Sequence, residues 1–146
     1  MKKQITTTVA TLSLFIALAA IGFAGLGTKL TADIPFDFAV NGKTLAAGKY
    51  DVTNGAAPGS LIIRNQDTNA AATVIVRKED AKQIGKALLT FRRYGAQYFL
   101  GSVNDGQHVS EVFKSNAERK AARGADNLAN NELKPEIVTI NATVGQ

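Results

Sequence analysis

The chain has 146 residues, a formal charge of +5, 45% hydrophobic and 20% charged residues, no Cys, no Trp and a single His. That is enough chain for one hydrophobic core, and too apolar a composition for a disordered polymer. The missing cysteine excludes thiol nucleophiles, disulfides, thiolate zinc and iron–sulfur sites and a lipid-bearing Cys, and a lone His108 leaves no multi-histidine metal site within one chain.

Met1-Lys2-Lys3 is a short positive start, and no charged side chain follows from Gln4 to Thr28, with the apolar density greatest between Val9 and Leu26. This is the pattern of an export signal. Gly22 and Ala24 satisfy the small-residue requirement for cleavage after Ala24. Residues 1–24 are therefore expected as a signal peptide, or as an N-terminal membrane anchor if retained, with 25–32 as linker and 33–146 as one β domain. Positive charge stays on the cytoplasmic side, so the remainder is expected outside the cytoplasm, periplasmic or extracellular. Loss of Lys2 and Lys3 lowers the charge from +5 to +3. The remaining cations are spread along the chain, with neither a polybasic tail nor a stripe for nucleic acid, and a membrane enters only through a retained N-terminal segment.

Ile34, Phe36, Phe38 and Val40 recur with period two, which predicts one strand with these four on a single face and Asp37 on the other. Asn41-Gly42 follows, a dipeptide that tolerates the positive φ angles of a tight hairpin, and a return strand is expected through Leu45. Tyr50 and Val52 continue the alternation up to a loop at Asn54 to Gly59. Ser60 to Arg64 and Thr73 to Arg77 read as a hairpin about the polar Asn65 to Asn69. Leu61-Ile62-Ile63 and Val74-Ile75-Val76 are continuous, a pattern expected of strands covered on both faces.

Glu79 to Lys86 is a polar connection. Leu88 to Arg93 and Gln97 to Val103 predict strands on either side of Tyr94-Gly95, and Val109 to Phe113 a strand after the turn Asn104-Asp105-Gly106. Ser115 with Glu118 three residues on is a capping box in which each side chain can satisfy a backbone N–H of the first turn, and Gly124 ends the short helix so begun. Asp126 to Lys134 can add a turn, Pro135 breaks it, and Glu136 to Val144 predicts a final strand. The expected fold class is mainly β: a single antiparallel β sandwich or partly open barrel of seven to nine strands, with one short helix near the C-terminus.

Ile34-Pro35-Phe36-Asp37-Phe38-Ala39-Val40, Leu45-Ala46-Ala47-Gly48-Lys49-Tyr50, Ile63-Arg64-Asn65, Phe91 with Tyr94-Gly95 and Tyr98-Phe99-Leu100, and Lys114-Ser115 before Glu118-Arg119 together resemble the motif order of an uncharacterised family of small exported bacterial β proteins. The chain departs from that pattern at Ala46, where proline is usual, and at Asn104, where tryptophan often follows. The resemblance implies a compact β domain and export, and it carries over no catalytic or binding residue.

The candidates for chemistry are few. His108 beside a carboxylate could move a proton, and as a surface imidazole it would do nothing. Asp37, between two aromatics, either faces solvent or takes a counter-ion, with Arg64 or Arg92 able to form a two-point structural ion pair. Arg92, Arg93, Tyr94 and Tyr98 mix cations with aromatics, the composition used to stack on bases, sugars or anions; Arg92, Tyr94 and Tyr98 are the candidate binding residues. A solvated strand edge explains the same group. The turns at Gly42, Gly55, Gly59 and Gly106 lack phosphate-loop spacing. The expectation is a non-enzymatic exported β module without metal or cofactor, binding an extracytoplasmic ligand or protein. The alternatives are an envelope or surface-assembly protein that pairs through the edges of the Leu61 and Val74 runs, and a small hydrolase using His108 with a carboxylate.

Overall fold

The computed structural model describes residues 27–82, 85–124 and 134–145. The expected signal over 1–24 lies outside them, as do residues 126–133 of the expected extra turn. In chain order the elements are β1 (Lys29–Ile34), β2 (Phe38–Val40), β3 (Lys43–Leu45), β4 (Gly48–Asn54), β5 (Ser60–Asn65), β6 (Ala71–Asp80), β7 (Leu88–Tyr94), β8 (Gln97–Asn104), β9 (His108–Val112), α1 (Asn116–Arg123) and β10 (Glu136–Gly145).

Eight strands close a ring in the order β1-β4-β5-β6-β9-β8-β7-β10 and back to β1, each neighbouring pair antiparallel. The fold is a β barrel with an added hairpin. β9 meets β6 only through Val76–Asp80 and β8 only through Ser102–Asn104, so the first halves of β6 and β8 lack a shared neighbour in the ring. The β2–β3 hairpin serves both. β2 bonds to β8 in parallel at Ala39 and Phe99. From the turn, the Asn41 side-chain amide donates to the Thr73 carbonyl (3.2 Å) and the Lys43 ammonium to the Ala71 carbonyl (2.7 Å) on β6. Asn41 and Gly42 take the positive φ angles, 47° and 78°, that this tight turn requires.

Alternation decides which side chains fill the ring. Leu30, Ala32 and Ile34 of β1, Tyr50 and Val52 of β4, Ile63 of β5, Leu89 and Phe91 of β7 and Leu100 of β8 all point inward and are buried. At the centre the Phe38 ring meets Tyr50 and Phe91 edge-on, at centroid distances of 5.1 and 5.3 Å. Phe36 stands edge-on to Phe91 at 5.1 Å and lies stacked on Tyr98 at 3.9 Å. Such aromatic pairs add to plain area burial. The barrel interior is a packed core.

Several expectations change in three dimensions. The strand expected from Ile34 to Val40 is two strands, because Pro35 has no N–H to continue the ladder and the chain bends at Phe36. Its four apolar side chains still reach the core, from two elements instead of one. Residues 29–32 of the expected linker belong to β1, and Glu79 and Asp80 extend β6 into the expected connection. With the two short hairpin strands, the count among the described residues is ten. The continuous runs behave as alternating strands: Ile75 is 57% exposed between buried Val74 and Val76, because only the inner face of a closed barrel is covered. β5 has strand partners on both sides, whereas Val74 and Ile75 of β6 pair with β5 alone, since β9 joins only from Val76 and the β2–β3 hairpin reaches β6 through the side chains of Asn41 and Lys43.

On the outer face the Asp51 carboxylate accepts from the Thr31 hydroxyl (2.8 Å), the Gln66 amide (2.7 Å) and the Lys29 ammonium (2.9 Å). Burial alone would push this carboxyl up; the donors from Lys29, Gln66 and Thr31 outweigh it and hold the carboxyl below an ordinary aspartate's value. Asp105 follows the same logic, with burial outweighed by the backbone N–H groups of His108 and Gln107. A carboxyl lowered on folding adds stability that is complete above its unfolded value and is lost as pH falls through the folded one. Thermal unfolding midpoints should therefore be steady near neutrality and fall below about pH 4. Asp51→Asn should lower the neutral midpoint and flatten that acid limb.

Candidate functional site

The site begins with the start of α1. Ser115 is the cap, in extended conformation, and its hydroxyl accepts from the Glu118 backbone N–H at 3.1 Å. The helix stops at Gly124, with φ of 70° and its N–H bonded to the Ala121 carbonyl. The reciprocal half of the capping box is replaced. Glu118 turns its carboxylate to the barrel wall, where Arg92 Nε donates to Oε1 at 2.5 Å and Nη2 to Oε2 at 3.0 Å. The pair is two-pronged and buried, with side-chain exposures of 14% for Arg92 and 2% for Glu118.

The same guanidinium donates to the Gly101 carbonyl (Nη1, 3.3 Å) and to the Val112 carbonyl (Nη2, 3.1 Å), and the Tyr94 hydroxyl reaches Oε1 at 3.4 Å. One side chain of β7 thus ties together β8, the end of β9 and α1. Gly101 makes this possible. It is the extra residue of a bulge, since β7 steps from Thr90 to Phe91 while β8 steps from Ser102 to Leu100. A Cβ at Gly101 would sit 3.1 Å from Arg92 Nη1 and 3.2 Å from the Thr90 carbonyl, so a side chain there would press on the guanidinium.

Held in this way, α1 lies over the outer face of β8, where Ala122 packs with Tyr94 and Phe99 in a second small cluster flanked by Ala39 and Ala121. Between the helix and the β2–β3 hairpin runs a groove of about 610 Å³. Phe99, Ala39, Ala117 and Ala121 give it an apolar lining; Asp37 and Thr44 stand on the hairpin side and Lys120 on the helix side. The groove exists because the residues facing across it are small. A further recess, lined by Leu30, Leu61 and Val103 among others, holds only about 40 Å³.

The candidate residues do not form one site. Arg92 and Tyr94 meet on Glu118, as their shared face predicts, inside the anchor of α1, where Tyr94 is buried and Arg92 partly buried. Tyr98 lies on the other face of the sheet, stacked on Phe36 with the Arg93 guanidinium 5.3 Å from its ring centroid. Arg93 in turn pairs with Glu136 at 3.0 Å. Arg92, Tyr94 and Tyr98 are therefore not a joint binding surface, because a strand sends successive side chains to opposite faces. Asp37 is exposed and accepts from the Ala47 backbone N–H at 2.8 Å, joining the bend after β1 to the β3–β4 connection. Among the described residues Asp37 and Arg64 form no ion pair: Arg64 is exposed on β5 opposite Asp51, and the buried pair that Arg92 makes is with Glu118.

His108 stands at the rim of the barrel, its Nδ1 3.4 Å from Asp105 and its Nε2 3.7 Å from Asp80. The imidazole is 35% exposed and Asp80 is 96% exposed, and none of the three lines the groove. The groove itself was not legible in the sequence. Alanines and glycines scattered from Ala39 to Gly124 carry no pattern until the fold aligns them.

No protein-family model, curated protein or solved structure matches this chain.

Removing one partner of a buried pair strands the other charge, at a cost of about 3–5 kcal/mol. Arg92→Leu and Glu118→Leu should each lower the unfolding free energy by about that amount in urea titrations. The double variant should be more stable than either single one, although the carbonyls of Gly101 and Val112 stay uncapped.

Proposed function

We propose that this chain is an exported, non-enzymatic β module that holds a ligand or partner outside the cytoplasm, in the groove between the β2–β3 hairpin and α1. The observation that carries the reading is where the space lies. Phe38, Tyr50 and Phe91 fill the barrel interior, while the groove of about 610 Å³ is outside the ring, within the size range of small-molecule sites. The site is built on a rigid barrel wall and a helix anchored by a buried ion pair, which favours a preformed surface. His108 supports a catalytic reading less well, because it sits beside two carboxylates at an open rim and not in a cleft. The charged start at Lys2-Lys3, the uncharged stretch behind it and the resemblance to small exported bacterial β proteins support passage across the inner membrane, to the periplasm or beyond.

Two measurements test this. N-phenyl-1-naphthylamine, a neutral apolar dye, should gain fluorescence on saturable binding to the protein, and Ala117→Trp and Thr44→Trp, placed on opposite walls, should each abolish the gain. A signal that survives both variants would remove the groove from consideration. Residues 1–24 fused to a bacterial alkaline phosphatase, whose disulfides form only outside the cytoplasm, should give an active and shortened enzyme. An inactive fusion would refute export.

A further inference from the structure

We infer that the groove takes a single-chain anionic amphiphile, with its carboxylate against Lys120 on the α1 side and its hydrocarbon tail along Phe99, Ala39 and Ala121. This rests on the groove being the binding surface and adds the class of its occupant.

The charge of the helix wall gives the first reason. α1 carries one acid, Glu118, which is buried and taken up by Arg92. Every other charge on the helix is a cation, Arg119, Lys120 and Arg123, and Lys114 precedes the cap. All four are exposed, and among the described residues none is in a salt bridge. Of the four, Lys120 lines the groove, and a cation without a salt bridge among the described residues, beside a partly desolvated surface, favours an anionic group there. Asp37 on the opposite wall repels that group, so the charge pattern orients the ligand as well as attracting it.

The lining gives the second. Ala39, Ala117 and Ala121 supply methyl groups and no hydrogen-bonding side chain, and Phe99, only 5% exposed, forms the floor. A sugar needs convergent polar groups and an open aromatic face; Thr44 and Gln97 are the neutral polar side chains on the walls, and the Tyr98 ring is already stacked on Phe36. A slender hydrocarbon needs only the apolar floor and room along it, and each methylene removed from water adds to binding.

Isothermal titration of the purified protein with dodecanoate and with dodecyltrimethylammonium, both below their micellar concentrations, tests head-group sign at constant tail. Dodecanoate should bind at least tenfold more tightly than the cation, Lys120→Glu should reverse that order, and Ala117→Trp or Thr44→Trp should abolish dodecanoate binding with the unfolding midpoint retained. Equal affinity for the two head groups, or dodecanoate binding indifferent to Lys120→Glu, would overturn the assignment. Binding that survives both tryptophan variants would do the same. Naphthylamine binding in the groove without dodecanoate binding would leave the groove standing and the amphiphile refuted. Binding to vesicles of anionic phospholipid without binding of monomeric dodecanoate would point to a membrane surface and would also overturn it.

Discussion

The arrangement outside the barrel depends on a single guanidinium. Arg92 spends its donors on the Glu118 carboxylate, the Gly101 carbonyl and the Val112 carbonyl, and so ties a helix of eight residues to the barrel wall. A helix that short is marginal on propensity alone and takes its stability from what it packs against. Alanine methyls on Tyr94 and Phe99 supply part of that, and the buried ion pair supplies a unique register. The two-pronged geometry matters because a desolvated carboxylate is costly unless its lone pairs are met, and here Arg92 and Tyr94 meet them. The Gly101 bulge belongs to the same device, since it turns a carbonyl toward Arg92 and leaves no Cβ in its way.

The second constraint is closure. Antiparallel sheets leave edges with unpaired backbone groups, and this chain removes most of them by joining β10 to β1 and β9 to β8. The seam that β9 is too short to cover is served by the β2–β3 hairpin, whose Asn41 and Lys43 reach the free carbonyls of β6. That hairpin does double duty, because its outer face becomes one wall of the groove. Closure also explains the packed interior seen among the described residues: eight strands make a ring that side chains can fill, and the rings of Phe38, Tyr50, Phe91 and Phe36 meet within it. Concavity is left to the outside, where a hairpin and a helix stand apart over β8.

Local patterns carried a good part of the fold. The hairpin turn at Asn41-Gly42, the strands from Tyr50 onward, the helix cap at Ser115 and its stop at Gly124 all follow from φ preferences and side-chain periodicity that a few residues contain. The errors have equally local causes. Ile34 to Val40 keeps its period across a proline that ends the ladder, so the pattern of burial was right and the element was not. Leu61 to Ile63 and Val74 to Val76 are apolar on both faces, yet Ile75 is in water, because composition does not say how many faces a sheet has covered. Glu118 was readable as a capping residue and chose Arg92, which lies 26 positions away, over its own first turn.

By itself the sequence determined the class of structure: mainly β, one short helix, the turns, and which side of most strands is apolar. Those are properties of neighbours along the chain, where steric limits on φ and alternation by two act directly. Only the tertiary structure decided that the sheet closes, that Arg92 pairs with Glu118 and not with Asp37, and that Asp37 and Lys120 line one groove. Ring closure, ion-pair choice and concavity depend on distances between residues remote in sequence, and those distances exist only once every strand has found its register.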